Sequence, residues 1–192
     1  IGLAISNMDK IISLGIRQHE FLMSEFPEHA ESFSFVPFGI DINFWTLANS
    51  LLEHDDPYVL FVGNDLNRDY DMVVNVAKEC PHMRFVVVSA RLSWSVGRQR
   101  IPNNIDLIES RSGQQVLSDV ELRDMYRQST LVFIPLKKTL QPSGQSVALQ
   151  AMACGKVVIM TETEGLWDPS ILLSGQNCIL TKPGCLTEMV DN

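Results

Sequence analysis

Basic residues are in the minority in this 192-residue chain: 15 Lys and Arg stand against 23 Asp and Glu, a formal net charge of −8. That balance argues against a protein whose main work is gripping nucleic acid, and no nucleic-acid partner is expected. No uncharged apolar run approaches the roughly 18 residues needed to span a bilayer. Ile1 heads a chain without an initiator Met or a signal-peptide layout, so the sequence is expected to be an excised piece. Cysteine is sparse. Cys80, Cys154, Cys178 and Cys185 have no C-x-x-C spacing and sit in or beside apolar stretches. They read as buried reduced thiols rather than a zinc site or a disulfide framework, which fits a cytoplasmic origin. The histidines, His19, His29, His54 and His82, share no metal-binding spacing, so no metal site is expected. Low-complexity tracts and internal repeats are missing too, which removes disordered and solenoid readings.

What remains is 45% hydrophobic and 20% charged, enough to bury one substantial core. Continuous apolar runs recur at Tyr58 to Val62, Phe85 to Val88, Ile105 to Ile108, Leu131 to Ile134, Val157 to Met160 and Cys178 to Leu180. Between most of them lie segments with helical spacing, such as Tyr70, Val73, Val74 and Ala77. Ser118 to Glu121 opens another with a capping-box pattern, followed by Leu122, Met125 and Tyr126. Apolar runs that do not alternate mean strands covered on both faces. The pattern predicts an α/β chain with a doubly wound, Rossmann-like parallel sheet. Upstream, Ile11-Ile12 reads as a strand, Arg17 to Phe26 as a helix stopped by Pro27, and Phe33 to Pro37 as a second strand. Arg91 to Arg100 and Gly165 to Gly175 read as connections.

Function concentrates in Gln141 to Thr161. Gln141, Pro142, Ser143 and Gly144 lead into the helix formers Val147, Leu149, Ala151, Met152 and Ala153, which stop at Gly155 before the β-branched run at Val157. The preceding run ends at Pro135, so the loop falls at the carboxyl edge of a parallel sheet, where open α/β sheets bind ligands. Free N–H groups at the helix start, with Gly144 allowing close approach, make an anion site for phosphate. The same groups at Ser143 to Ser146 could instead serve simple N-capping. Lys156 follows the C-cap and complements the helix dipole more readily than it reaches a phosphate.

The string Gln150-Ala151-Met152-Ala153-Cys154-Gly155-Lys156-Val157-Val158 resembles the Glu-Ala-Met-Ala-x-Gly-Lys-Pro-Val-like signature of retaining glycosyltransferases with a GT-B fold (glycosyl transferase group 1, family 4-like), in their carboxyl-terminal half. The resemblance implies residues 1–40 as a remnant of an amino-terminal acceptor domain and its hinge, and residues 41–192 as the nucleotide-sugar-binding domain. Locally, Phe38-Gly39 reads equally as an ordinary turn. The implied reaction moves a sugar from a nucleoside diphosphate to an acceptor, glycan, lipid or small molecule, with retention and no obligatory metal or other cofactor. The isolated fragment would lack turnover. A location in the cytoplasm follows, with peripheral membrane association of the intact protein as an alternative.

Residue by residue, the resemblance implies donor contacts from Gly63, Asn64 and Arg68 at the first loop, Ser89 and Ile108 near the base, and Ser143, Gly144, Gln145 and Ser146 at the diphosphate. Gln150 stands where a ribose-binding Glu is usual. Pro142 stands where a second Glu faces the donor sugar, leaving Gln141 as the nearest polar neighbour. Arg68 and Gln141 are therefore the catalytic candidates. From local sequence alone Arg68 also reads as a surface partner of Asp69 or Asp71. The two missing carboxylates motivate a rival reading, a non-catalytic nucleotide-sugar-binding or assembly module of the same fold.

Overall fold

A computed structural model describes residues 5–48, 56–109 and 117–191. Near the amino end, β1 (Ile11–Ser13), α1 (Ile16–Glu25), a 3-10 turn over Pro27–Ser32 and β2 (Phe33–Phe35) form a small unit whose two strands pair in parallel. The rest builds around six parallel strands: β3 (Tyr58–Val62), β4 (Arg84–Val88), β5 (Ile105–Ile108), β6 (Leu131–Ile134), β7 (Val157–Thr161) and β8 (Ile179–Thr181). Their order is β5-β4-β3-β6-β7-β8, and every neighbouring pair is parallel. The helices between them are α2 (Tyr70–Glu79), α3 (Leu92–Val96), α4 (Asp119–Gln128) and α5 (Gln145–Ala153), and α6 (Leu186–Val190) follows β8. This is the doubly wound sheet that the apolar runs predict.

Strand side chains divide between two cores because successive residues point to opposite faces. Leu60, Val132, Ile134, Val158 and Met160 meet Tyr126 of α4, Val147, Ala148 and Ala151 of α5, and Trp45. Val59, Phe61, Phe133 and Ile159 meet Tyr70, Val73, Val74 and Ala77 of α2, Leu92 and Val96 of α3, and Met189 of α6. Both faces are thus covered, the physical reason why the runs show no polar alternation.

Two segments depart from the sequence reading. Within Arg91 to Arg100, α3 and a 3-10 turn over Arg98–Arg100 replace a plain connection. The single buried i, i+4 pair Leu92 and Val96 docks α3 beside α2, and one pair is too short to register as a period. Near the end of the chain, α6 forms with Met189 as its buried anchor. Gly165 to Gly175 stays free of named helices, yet Trp167 and Leu172 bury into the first core. Cys80, Cys154 and Cys178 are buried free thiols and Cys185 is half-buried. Among the described residues no helix is long and apolar enough to cross a membrane, and no three His, Cys, Asp or Glu side chains converge on a point.

Residues 41–48 tie the two parts together. Asp41 starts a turn by accepting the Trp45 N–H at 2.9 Å, and Trp45 then sits edge-on to Tyr126. Arg127 of α4 donates to the Thr46 carbonyl at 2.9 Å and the Leu47 carbonyl at 3.3 Å. At the other contact, the Ile16 N–H bonds the Trp167 carbonyl at 2.9 Å.

Candidate functional site

Strand order reverses between β3 and β6, so the chains leaving their carboxyl ends run away from each other and open a crevice. Pairing between these strands covers Val59 with Leu131 and Leu60 with Val132, although the strands continue to Val62 and Ile134. The crevice therefore begins inside the sheet.

Arg68 occupies it. The Asp69 N–H bonds the Pro135 carbonyl at 3.0 Å and the Lys137 N–H bonds the Asn67 carbonyl at 2.8 Å, which clamps residues 67–69 antiparallel to residues 135–137. The clamp leaves the Arg68 side chain only 4% exposed, lying between two glycines. A Cβ on Gly63 would come within 2.3 Å of Arg68 Nε, and one on Gly144 within 3.2 Å of Nη1. Gly63 and Gly144 are thus dictated by close approach to the guanidinium, and Gly144 also by its left-handed backbone at φ +85°. The nearest carboxylate oxygen, Asp65 Oδ2, is 3.5 Å from Nε, too far for a good hydrogen bond. Nε and Nη1 are buried without hydrogen-bond partners. Burial pushes the guanidinium pKa below its ordinary value, against the opposing pull of Asp65. A buried cation with spare donors is costly until an anion meets it. The surface pairing with Asp69 or Asp71 does not occur: Asp69 caps α2 by accepting the Met72 N–H at 3.0 Å, and Asp71 pairs with Arg100 at 2.9 Å.

Facing Arg68 is the start of α5. Gly144 is its N-cap and no side chain caps it; the first helical bond runs from the Ala148 N–H to the Gly144 carbonyl at 2.9 Å. The N–H groups of Gln145, Ser146 and Val147 precede that bond and carry the positive end of the helix dipole. Ser143 is not the cap. Its buried hydroxyl oxygen accepts from Asn67 Nδ2 at 2.7 Å, and the same amide donates to Gln141 Oε1 at 3.3 Å. Asn67 therefore fixes both polar side chains of the loop, a role the sequence did not reveal because its partners lie 74 and 76 residues away. Lys156 sits beyond the other end of α5, about 13 Å off at 1.5 Å per residue over nine residues. Gly155, at φ +73°, closes the helix with bonds from its own N–H to the Met152 carbonyl and from the Lys156 N–H to the Ala151 carbonyl, each 2.9 Å.

The remaining candidates fall on the same edge of the sheet. Asn64 Oδ1 accepts the Ala90 N–H at 2.6 Å and the Ser89 hydroxyl at 3.4 Å, joining the loops after β3 and β4. Ser89 is fully buried; its N–H bonds the Ile108 carbonyl at 3.0 Å and its hydroxyl oxygen accepts the Arg91 N–H at 3.1 Å. The polar groups of Ser89 are thus engaged by Ile108, Asn64 and Arg91. Gln150, one helical face along α5, is half-buried and accepts from the Tyr126 hydroxyl at 3.2 Å. Gln141 is exposed, while Pro142 packs on the amino-terminal unit: a Cβ on Gly15 would meet Pro142 Cγ at 2.5 Å. Across that loop from Arg68 lies a cavity of about 750 Å³, walled by Arg17, Glu20 and Phe21 of α1, by Leu140, and by Glu162 and Glu164 after β7.

A family model described as glycosyl transferases group 1 matches residues 56–192. No curated protein matches the chain. Among solved structures, the chain is similar to Anabaena HepE, crystallised in complex with UDP-glucose, at 19% identity and TM-score 0.71, over 100% of this chain and 54% of that one. It is also similar to AviGT4, a glycosyltransferase involved in avilamycin A biosynthesis, at 14% identity and TM-score 0.57, over 78% of this chain and 44% of that one. The chain spans about half the length of these structures.

Proposed function

The chain belongs to the glycosyl transferases group 1 family, and from that premise we propose that it is the donor-binding, carboxyl-terminal half of a retaining GT-B glycosyltransferase. The observation that carries this reading is the buried Arg68, whose Nη1 lies beside Gly144 at the uncapped start of α5 without a hydrogen-bond partner. A diphosphate in that gap would be met from two sides, by a planar cation and by fixed N–H dipoles. In this reading Arg68, the Ser143 hydroxyl and the N–H groups of Gln145 and Ser146 stabilise the charge that builds on the leaving diphosphate. Those groups supply positive potential to a leaving group without a metal ion. Gln150 addresses the ribose diol, and the loops at Asn64, Ser89 and Ile108 border the base. The donor sugar projects past Gln141 toward the cavity beside α1, where the acceptor would enter.

Two features support residues 1–40 as part of an acceptor-side domain and 41–192 as the donor domain. The β1-β2 pair shares no ladder with the main sheet, and two parallel strands, with Ile12 on β1, Leu14 after it and Phe21 on α1 all exposed, are too small a sheet to stand alone. Trp45, just past the division, buries in the core of the main sheet.

The rival reading, a binding module without transfer activity, is favoured by Pro142, which offers no carboxylate to an oxocarbenium-like centre and is packed against Gly15. Incubating the intact protein with a panel of nucleotide sugars and measuring release of nucleoside diphosphate separates the two; binding without release favours the module. Donor binding itself is tested by calorimetry with uridine diphosphate and uridine, chosen because HepE was crystallised with UDP-glucose. Arg68→Ala should weaken the diphosphate by about 1.5–3 kcal/mol and leave uridine unchanged. Equal losses for both, or no binding of uridine diphosphate at millimolar concentration, would remove the donor site.

A further inference from the structure

Gln150 stands where the resemblance calls for a carboxylate, and an amide differs from a carboxylate in having two unlike ends. Which end faces the crevice decides what the site can recognise. The neighbour that makes this choice is Tyr126, a fully buried residue of α4 whose hydroxyl lies 3.2 Å from Gln150 Oε1. Its ring is held edge-on by Trp45 at a centroid distance of 5.7 Å. Trp45 is in turn fixed by the turn at Asp41 and by the grip of Arg127 on the Thr46 and Leu47 carbonyls. The hydroxyl therefore has one position.

We propose that Tyr126 is a positioning residue that locks the Gln150 amide with its oxygen inward and its NH2 group toward the crevice, so that the site offers ribose a hydrogen-bond donor. This rests on the reading of the crevice as a nucleotide site and adds the polarity with which it meets the sugar. A phenol hydrogen needs an acceptor when buried, and Oε1 is the acceptor within reach. With Oε1 so engaged, the amide NH2 is the free end, and a ribose hydroxyl must accept from it. A Glu at this position would instead accept from Tyr126 and from the hydroxyl together.

The test has two readouts. In the ligand-free protein, the Gln150 side-chain NH2 resonances, identified by their loss in Gln150→Glu, should shift in Tyr126→Phe, which keeps the ring and its packing, but without the upfield proton move that losing an N–H donor bond to the Tyr126 oxygen would give. With ligands, the wild-type preference for uridine diphosphate over its 2′,3′-dideoxy analogue should be about tenfold. Tyr126→Phe should reduce that preference to about twofold or threefold, while inorganic pyrophosphate binds both proteins alike. Gln150→Glu should retain the ribose preference with or without the Tyr126 hydroxyl, because a carboxylate has no unlike ends to orient. Unchanged NH2 resonances and an unchanged ribose preference in Tyr126→Phe would overturn the proposal. Failure of the wild type to bind uridine diphosphate would sink the nucleotide site itself, and the amide resonances would still decide whether Tyr126 orients Gln150.

Discussion

The starts of α4 and α5 lie on neighbouring helices that share one core, yet they treat the same four unpaired N–H groups in opposite ways. At α4 the Ser118 hydroxyl oxygen accepts the Glu121 N–H at 3.2 Å, and the Glu121 carboxylate accepts the Ser118 N–H at 2.7 Å. The Ser118 hydroxyl and the Ser118 N–H, each donating to the Glu121 carboxylate at 2.7 Å, hold that carboxyl below its usual range. The end is closed on itself and asks for nothing else. At α5 a left-handed Gly144 supplies no side-chain oxygen, Ser143 is turned away to Asn67, and a buried arginine lies beside Gly144 with Nη1 free of any hydrogen bond. One end is finished by the sequence around it. The other is finished only when an anion arrives, which is how a binding site differs from a stable helix terminus.

Breaking the open end should have the largest effect. Arg68→Met is expected to abolish the rise in unfolding temperature that uridine diphosphate gives the wild type, corresponding to about 1.5–3 kcal/mol of lost affinity. Without ligand the same variant should be as stable as the wild type or more so, since a buried cation held only loosely by Asp65 at 3.5 Å is replaced by an apolar chain of similar length. A clear fall in the unliganded midpoint would mean that Arg68 is structural.

Gly144→Ala comes next, at about 1–2 kcal/mol of stability. The new Cβ would adopt φ +85° and press on Ile134 Cγ2 at 3.0 Å and Arg68 Nη1 at 3.2 Å. Urea unfolding should show the loss and calorimetry a weakened diphosphate. Full retention of both would show that the loop tolerates a side chain where close approach is claimed.

Closing off the contrast from the other side, Ser118→Ala should lower stability by about 1 kcal/mol and leave nucleotide affinity untouched. A change in affinity would mean that the two helix starts are coupled. The smallest effect is expected from Asn67→Ala, a loss of about 0.5–1 kcal/mol in diphosphate binding as Ser143 is released. If freed Ser143 then capped α5, stability would rise while affinity fell, and the two measurements together would show capping and anion binding competing for the same N–H groups.

How much of this was legible before folding differs from residue to residue. The β3 run, the helix at Tyr70 and the capping box at Ser118 follow from neighbours within four positions, and all appear where the sequence puts them. The anion-binding character of Ser143 to Ser146 was legible as chemistry, but capping by Ser143 was equally legible, and only Asn67 decides against it. The burial of Arg68 was hidden, because the local sequence offers Asp69 and Asp71 as surface partners. Neither Asn67 nor Tyr126 carried any signal, since each acts through a contact with a distant stretch of chain.

By itself the sequence determined the six strands of the main sheet and the longer helices between them, the covered faces of the sheet and the loop-helix with its glycine stop. Apolar periodicity, caps and turns are short-range properties of the chain, so they survive reading one residue after another. The tertiary structure alone decided which nitrogens of Arg68 go unpaired, which way Ser143 turns and which end of Gln150 meets the crevice. Each of those depends on two segments brought together by the reversal of strand order between β3 and β6, and a hydrogen bond is won or lost over less than an ångström.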